Sequence, residues 1–243
     1  VVRERIGAGG MGVVYDAWDP ALDRTLAIKL LRARSQRHAD GRARLLREAR
    51  AIAQLSHPNV VAVYDVGEAV LPDDSQAVFV AMEFVAGPTL RQWLDARRRS
   101  WRAIAAAFLG AARGLSAAHE LGIVHRDFKP GNVMMAPGDR AVVLDFGLAR
   151  MLVGAEPVPA VVQPLLGETP IAGNVTQTHA MLGTPAYMAP EQRGSSAIDG
   201  RADQWAWAVS FAEALLGAHP FAQTDAPSLA VQLSRGPVPR PDR

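Results

Sequence analysis

Two carboxylates, one lysine and one carboxamide stand close together near the middle of the chain. Asp127, Lys129 and Asn132 fall in one short run, and Asp145 follows an apolar stretch that a Pro-Gly-Asp turn divides in two. This pattern predicts a hairpin of two short strands, whose ends bring the four side chains into one cleft. Oxygen ligands of this kind suit Mg²⁺, which proteins hold with one or two carboxylates plus substrate phosphates. The chemistry that these residues predict is phosphoryl transfer.

The same residues carry a resemblance to a known family. The run His125–Asn132 resembles the catalytic loop of eukaryotic-like protein kinases, and Asp145-Phe146-Gly147 resembles their metal-binding motif. Either motif alone also occurs as an ordinary polar turn beside a strand, but the pair in this order favours the kinase interpretation. The roles that the resemblance implies are catalytic for Asp127, Lys129 and Asn132, Mg²⁺-binding for Asn132 and Asp145, and packing beneath the metal motif for His125.

A glycine-rich turn near the N-terminus predicts where phosphates bind. The spacing GxGxxG at Gly7–Gly12 also occurs in dinucleotide-binding folds, where a strand turns into a helix. Here the next residues, Val13–Trp18, are β-branched and aromatic, and turn residues separate them from the apolar Leu26–Ile28. That order indicates strand, turn and strand. A hairpin over phosphates is therefore favoured, with glycines that let backbone N–H groups approach the phosphate oxygens.

The kinase resemblance extends to the residues around this hairpin. Lys29 matches the lysine that reaches the α- and β-phosphates, and Glu48 matches its ion-pair partner, although a surface pairing with a neighbouring arginine is the alternative. The run Met82–Gly87 resembles the hinge between the kinase lobes, where backbone groups of Glu83 and Val85 bond the adenine edge. The residues implied to contact ATP are Ile6, Gly7, Ala8, Gly9, Gly10, Met11, Gly12, Val13, Val14, Ala27, Lys29, Glu48, Met82, Glu83, Val85 and Met134.

The resemblance spans essentially the whole chain and implies an α+β, bilobal protein-kinase-like fold. A small antiparallel β-sheet with one helix is expected over residues 1–81, a hinge over 82–87, and a mainly helical lobe, truncated at its C-terminus, over 88–243. Apolar periodicity predicts strands at 60–66 and 77–85 and helices at 35–55, 90–98, 102–121, 203–216 and 228–233. The helix that begins at Asp203 is apolar nearly all round, which indicates burial. In the family that aspartate supports the backbone of the catalytic loop.

Residues 145–191 show no convincing periodicity. Unstructured loops longer than about 12 to 15 residues are usually functional or disordered. This one closes with Ala189-Pro190-Glu191, which resembles the end of the kinase activation segment. The resemblance implies autophosphorylation at Thr176 or Thr178, with Arg126 pairing with the added phosphate.

Two further residues of the activation segment have roles that the resemblance implies. Thr184 is expected to be structural, bonding Asp127 and Lys129 beside the substrate platform. In the family, Glu191 pairs with an arginine from later helices. Since the sequence offers no candidate for that arginine, we expect a buried carboxylate without its partner, which costs stability.

The composition excludes several classes of protein. Hydrophobic residues make up 49% and charged residues 21% of the chain, and the net charge is only +2, which argues against a nucleic-acid partner. The absence of cysteine rules out disulfides and thiolate zinc sites and fits a reducing cytoplasm. No apolar run is typical of a membrane span. We expect a cytoplasmic domain without membrane contact from this segment, in a parent chain that could be anchored elsewhere.

The function that the resemblance implies is that of a bacterial eukaryotic-like serine/threonine protein kinase, which uses ATP and Mg²⁺ to phosphorylate protein substrates. Lys129, two residues after Asp127, argues for Ser/Thr over Tyr specificity. Two alternatives remain. A pseudokinase binding module would lack one of Lys29, Asp127 or Asp145, and all are present. A small-molecule kinase of the aminoglycoside type would not need the Ala-Pro-Glu anchor.

Overall fold

A five-stranded antiparallel sheet forms the N-terminal part of the fold. The computed structural model describes residues 1–9, 12–32, 46–47, 49–71, 76–146, 186–193 and 198–221, and the structural statements below concern those ranges. The strands lie in the order β1-β2-β3-β5-β4, and each neighbouring pair is antiparallel. Their bounds are β1 Val2–Gly9, β2 Gly12–Asp19, β3 Arg24–Arg32, β4 Val63–Val70 and β5 Gln76–Glu83. This sheet confirms the expected N-terminal architecture.

One helical stretch belongs to this sheet. Residues 46–47 and 49–53 are helical. The apolar side chains of Ala49, Ile52 and Leu55 are buried in the same core cluster as Leu31 and the inner face of the sheet. Their spacing places them on one face of a helix, as the sequence predicts. The first part of the helix predicted over 35–55 lies outside the described ranges.

The C-terminal part is helical around a short hairpin. Its described helices are α1 Leu90–Asp95, α2 Trp101–Glu120 and α3 Gly200–Leu216, with 3₁₀ turns at Pro130–Asn132 and Pro190–Arg193. The hairpin consists of β6 Val133–Ala136 and β7 Arg140–Val143. The strands pair antiparallel across the Pro-Gly-Asp turn, which confirms the predicted hairpin. None of the helices in these ranges is both long and apolar enough to cross a membrane.

Side-chain bonds to the backbone set helix ends that periodicity misplaced. α1 ends at Asp95 rather than at the predicted residue 98, and Arg99 donates to the Trp93 carbonyl at 3.1 Å and stacks on its ring. Ser100 accepts from the Ala103 N–H and so starts α2. Asp199 caps α3 in the same way, and that helix therefore begins before residue 203. The helix predicted at 228–233 lies outside the described residues.

The β6–β7 hairpin is fastened to the segment that leads into β4. The Val61 N–H donates to the Val143 carbonyl at 3.0 Å, and the Val143 N–H donates to the Asn59 carbonyl at 2.9 Å. The side chain of Asn59 donates to the Ala141 carbonyl at 2.7 Å. Residues 60–62 are thus engaged by the hairpin and the hinge, which explains why β4 begins at Val63 rather than at residue 60. Hydrogen bonds thus join the hairpin to the segment that enters the N-terminal sheet.

Helix α3 supports the loop that precedes the hairpin. Asp203 is fully buried and accepts bonds from the N–H groups of His125 and Arg126, both at 2.7 Å. The Nε2 of His119, on α2, lies 2.8 Å from the same carboxylate. The expectation that Asp203 supports the catalytic-loop backbone is confirmed. Arg126 has φ of +66°, a strained value for a non-glycine residue, and this anchor helps to hold it there.

We expect Asp203→Asn to destabilise the fold and to lower catalytic turnover. An amide offers only one acceptor oxygen, so an N–H of His125 or Arg126 would face an NH₂ group instead of an acceptor. A buried donor without a partner costs about 1–3 kcal/mol, which thermal unfolding would report as a clear fall in Tm. Asp199→Asn is the matched control, because Asp199 is exposed at the start of the same helix and Asn caps helices as well as Asp does. Equal Tm values for the two variants would contradict the anchoring role.

Candidate active site

The hairpin and the preceding loop bring Asp127, Lys129 and Asn132 together. The Lys129 ammonium lies 2.9 Å from Oδ2 of Asp127. The Asn132 amide nitrogen donates to the Asp127 carbonyl at 2.8 Å and to its Oδ2 at 3.2 Å. Because the NH₂ group of Asn132 is used in these bonds, its amide oxygen is available for a cation. The predicted catalytic residues form one connected cluster.

Asp145 enters the same cleft from the far end of the hairpin. The N–H of Leu144 donates to the Asn132 carbonyl at 2.8 Å, which holds the two loops side by side. Asp145 has φ of +56°, so the chain turns sharply at this residue. Its Oδ1 lies 2.6 Å from Nζ of the buried Lys29 on β3. A carboxylate and a lysine from opposite parts of the fold thus meet within the cleft.

His125 has a structural role beneath these residues. Its Nε2 lies 2.8 Å from the Leu144 carbonyl, which can only accept a hydrogen bond, so Nε2 carries the proton. Its Nδ1 then accepts from the Asp127 N–H at 3.3 Å. Complete burial lowers the pKa of His125 below its ordinary value, against the opposing effect of nearby Asp203. The neutral ring packs at 4.9 Å from Phe146, which confirms its predicted packing role.

The glycine-rich turn lies between β1 and β2. Gly9 pairs with Gly12 at the turn end of this hairpin, while Gly10 and Met11 lie outside the described residues. Gly12 has φ of +147°, and a Cβ there would lie 2.1 Å from the Leu30 carbonyl oxygen. No other residue fits that position without moving β3. Ile6, Gly7 and Ala8 lie on β1, and Val13 and Val14 lie on β2, on either side of this turn; their contacts with ATP remain a prediction.

The remaining nucleotide-contact candidates lie on β3, β5 and β6. Ala27 pairs with Met82 across the sheet, and both side chains are buried. Met82 and Glu83 are the last residues of β5, Val85 is buried in the following hinge, and Met134 lies on β6. Glu48 lies outside the described residues. The Lys29–Glu48 pair remains a prediction, and the described partner of Lys29 is Asp145.

The hinge passes very close to the β6–β7 hairpin. Gly87 has φ of +137°, and a Cβ there would lie 2.1 Å from the Met135 carbonyl oxygen. The Met135 N–H donates to the Pro88 carbonyl at 2.8 Å just beyond it. The hinge and β6 therefore share a direct backbone contact. Any group held by the hinge is thereby placed relative to the strand that follows Asn132.

Hydrogen bonds made by Tyr187 and Gln192 fix the end of the activation segment, and sequence reasoning missed them. The Tyr187 hydroxyl donates to Glu213 on α3 at 2.6 Å, and Arg91 on α1 donates to both, at 2.6 and 2.8 Å. Burial, and then the hydrogen bond to Glu213, raise the pKa of Tyr187, so its hydroxyl stays protonated. The Gln192 side chain donates to the Arg126 carbonyl at 2.9 Å. These partners lie far apart in the chain, and no local pattern signals them.

Several predictions for the activation segment lie outside the described residues. Thr176, Thr178 and Thr184 belong to this group, as does Gly147. Glu191 is described, and it is exposed in the 3₁₀ turn Pro190–Arg193. The expectation of a buried, partnerless carboxylate was therefore wrong for this structure. Water solvates that charge, and no desolvation cost arises.

Comparisons with known proteins agree with this geometry. The chain is 37% identical over 242 residues to the serine/threonine-protein kinase PknB of Mycolicibacterium smegmatis, covering 97% of this chain and 35% of that protein. It is 35% identical over 241 residues to the serine/threonine-protein kinase PknL of Mycobacterium bovis, covering 99% of this chain and 55% of that protein. The chain thus spans about a third of the length of the PknB relatives.

A solved kinase-domain structure and a protein-family match agree with these relatives. The crystal structure of a point mutant of the Mycobacterium tuberculosis PknI kinase domain superposes with a TM-score of 0.65 at 29% identity, covering 90% of this chain and 74% of that one. The protein kinase domain family matches residues 1–236. Together with the sheet, hinge and β6–β7 hairpin described above, this match shows the bilobal kinase fold. The chain belongs to the protein kinase domain family.

Proposed function

We propose that this chain is the catalytic domain of a serine/threonine protein kinase, which transfers the γ-phosphoryl group of ATP to Ser or Thr hydroxyls of protein substrates. The observation that carries the proposal is the meeting of two lysine–carboxylate pairs at the hairpin, Lys129 with Asp127 and Lys29 with Asp145. The family uses ATP and a divalent metal ion. The relatives' names support Ser/Thr specificity, and so does the lysine beside Asp127.

Under this proposal, ATP lies between the sheet and the hairpin. The backbone of Glu83 and Val85 bonds the adenine edge, with Ala27, Met82 and Met134 as its apolar walls. The N–H groups of the glycine-rich turn cover the phosphates. Lys29 binds the α- and β-phosphates, and its buried stem limits where its ammonium can go. Support for this arrangement comes from the shared position of these residues around the cleft.

The metal ion that we propose is Mg²⁺. The carboxylate of Asp145 and the amide oxygen of Asn132 are hard oxygen donors, and the bonds to the NH₂ group of Asn132 point that oxygen away from Asp127. These residues fit the ion when substrate phosphates supply further ligands. When bound, Mg²⁺ offsets the negative charge of the phosphate oxygens.

In the transfer step, Asp127 takes a proton while one phosphorus–oxygen bond forms and another breaks. The acceptor hydroxyl donates its proton to Asp127, for which we assign Oδ1, because Lys129 and Asn132 contact Oδ2. The hydroxyl oxygen bonds to the γ-phosphorus while the bond from that phosphorus to its bridging oxygen breaks, and ADP leaves. Lys129 offsets charge on the moving phosphoryl group. Positioning and fixed charge supply most of the rate.

The alternatives have weaker support. A pseudokinase does not need Lys29, Asp127 and Asp145 to be fixed in position. Here Lys29 pairs with Asp145, and Asp127 accepts a hydrogen bond from Lys129. A small-molecule kinase needs no platform for a protein. The end of the activation segment is fastened through Tyr187 and Gln192, as a platform for protein substrates requires.

Asp127→Asn should abolish most turnover while ATP still binds. The substitution removes the base and its charge but keeps the size of the side chain, and groups of this type contribute about 10²- to 10⁴-fold to rate. Phosphorylation of a Ser/Thr peptide and ATP affinity would be measured together. Asp139→Asn is the matched control, because Asp139 is exposed in the turn of the same hairpin and Asn tolerates its φ of +56°. Near-normal phosphorylation by the Asp127 variant would end the proposal.

Autophosphorylation at Thr176 or Thr178 should activate the enzyme. Arg126 lies directly before Asp127, and its buried Nε has no hydrogen-bond partner in the described part of the chain. A phosphothreonine adds about −1.5 to −2 charges and offers strong acceptors to such a guanidinium. Mass spectrometry after incubation with ATP should find phosphate on one of these threonines, and Thr176→Ala/Thr178→Ala should phosphorylate an added substrate more slowly. Asp127→Asn, which should gain no phosphate alone, is the control. Full activity of the double variant would refute this regulation.

A further inference from the structure

Arg140, the first residue of β7, joins two other parts of the chain. Its NH1 donates to the Pro58 carbonyl at 2.5 Å, and its NH2 lies 3.2 Å from Oε1 of Glu83. Pro58 precedes the segment that enters β4, and Glu83 ends β5 at the hinge. The planar guanidinium can bond both acceptors at once, whereas a lysine would serve them as a single point charge. One side chain thus connects the hairpin with the hinge and the segment before β4.

Glu83 is held from two directions. Its N–H donates to the Ala62 carbonyl at 2.8 Å, and its side chain receives Arg140. The two side chains are 27% and 38% exposed, so water partly screens the pair and its strength is moderate. The backbone of Glu83 is where the proposed function puts the adenine edge. Fixing the side chain of Glu83 therefore also restricts the backbone groups that face adenine.

The position of Arg140 relates the two ends of the nucleotide site. From Arg140 the chain runs along β7 to Val143, a rise of roughly 10 Å at about 3.3 Å per residue, and Asp145 follows two residues later. Arg140 begins this strand beside the hinge, and Asp145 lies just beyond its other end, where the proposed function puts the phosphates. An ATP molecule that bonds Glu83 and also reaches Asp145 must match that separation. The ion pair between Arg140 and Glu83 fixes the position of the start of β7 relative to the hinge.

We propose that Arg140 is a positioning residue for ATP, which acts through Glu83 to hold the hinge at a fixed place relative to Asp145. The proposal rests on the kinase function proposed above. Arg140 takes part in no bond-making step, so its loss affects nucleotide affinity before it affects turnover. The ion pair joins two side chains, so it can be removed by substitution without removing the backbone hydrogen bonds around the hinge.

The test compares Arg140→Met with the starting protein. At saturating peptide, the KM for ATP should rise about two- to fivefold, the range that a partly exposed ion pair accounts for, with kcat and the KM for peptide little changed. Arg140→Lys should recover part of the ATP affinity because it keeps the charge. Arg201→Met is the matched control, since Arg201 is 87% exposed and pairs loosely with Asp199 at 3.8 Å. That control should leave every constant unchanged.

A double-variant cycle tests whether Arg140 acts through Glu83. Glu83→Met alone should raise the KM for ATP as Arg140→Met does, and the combined variant should raise it no further. Additive effects, an unchanged KM for ATP, or a fall in kcat and Tm without a change in ATP affinity would each overturn the proposal. Calorimetric titration with ATP keeps the two proposals distinguishable. A protein that binds ATP but phosphorylates no peptide would refute the proposed function, while its ATP affinity would still decide the role of Arg140.

Discussion

The buried carboxylate of Asp203 is the constraint on which the active site depends. A lone charge in a protein interior is costly, and this one is tolerated because two backbone N–H groups and the His119 ring surround it. These bonds also hold Arg126 in its strained backbone conformation. The loop that carries Asp127 is therefore fixed by α2 and α3 rather than by its own sequence. Preorganisation of this kind lets a catalytic group act without rearrangement.

The charged groups of the cleft form two lysine–carboxylate pairs. Lys29 comes from the sheet and Asp145 from the hairpin, so their contact spans both parts of the fold. Lys129 and Asp127 lie on one short loop, and Asn132 bridges them to the start of β6. Each carboxylate thus has a cation at hand, which limits like-charge repulsion between them. The backbone bond from Leu144 to Asn132 keeps the two sets adjacent.

Sequence reasoning succeeded where neighbours in the chain determine the structure. The β6–β7 hairpin, the β1–β2 hairpin and α2 follow from turn residues and apolar spacing. It failed at the end of α1, where Arg99 bonds the carbonyl of Trp93 six residues earlier, and where Arg91 meets Glu213 from a distant part of the chain. Such pairs depend on the finished fold, and no local signal predicts them. The roles of Glu48, Thr176 and Thr178 remain predictions.

Gly87 has a consequence for how this chain can change during evolution. A side chain at that position would collide with the Met135 carbonyl, so a substitution there requires a compensating shift of β6. Because β6 follows directly after Asn132, that shift would displace the candidate metal ligand as well. Hinge variants at this position should therefore show strong epistasis with residues of the hairpin. The glycine limits adaptation at both ends of the cleft, although it has no side chain of its own.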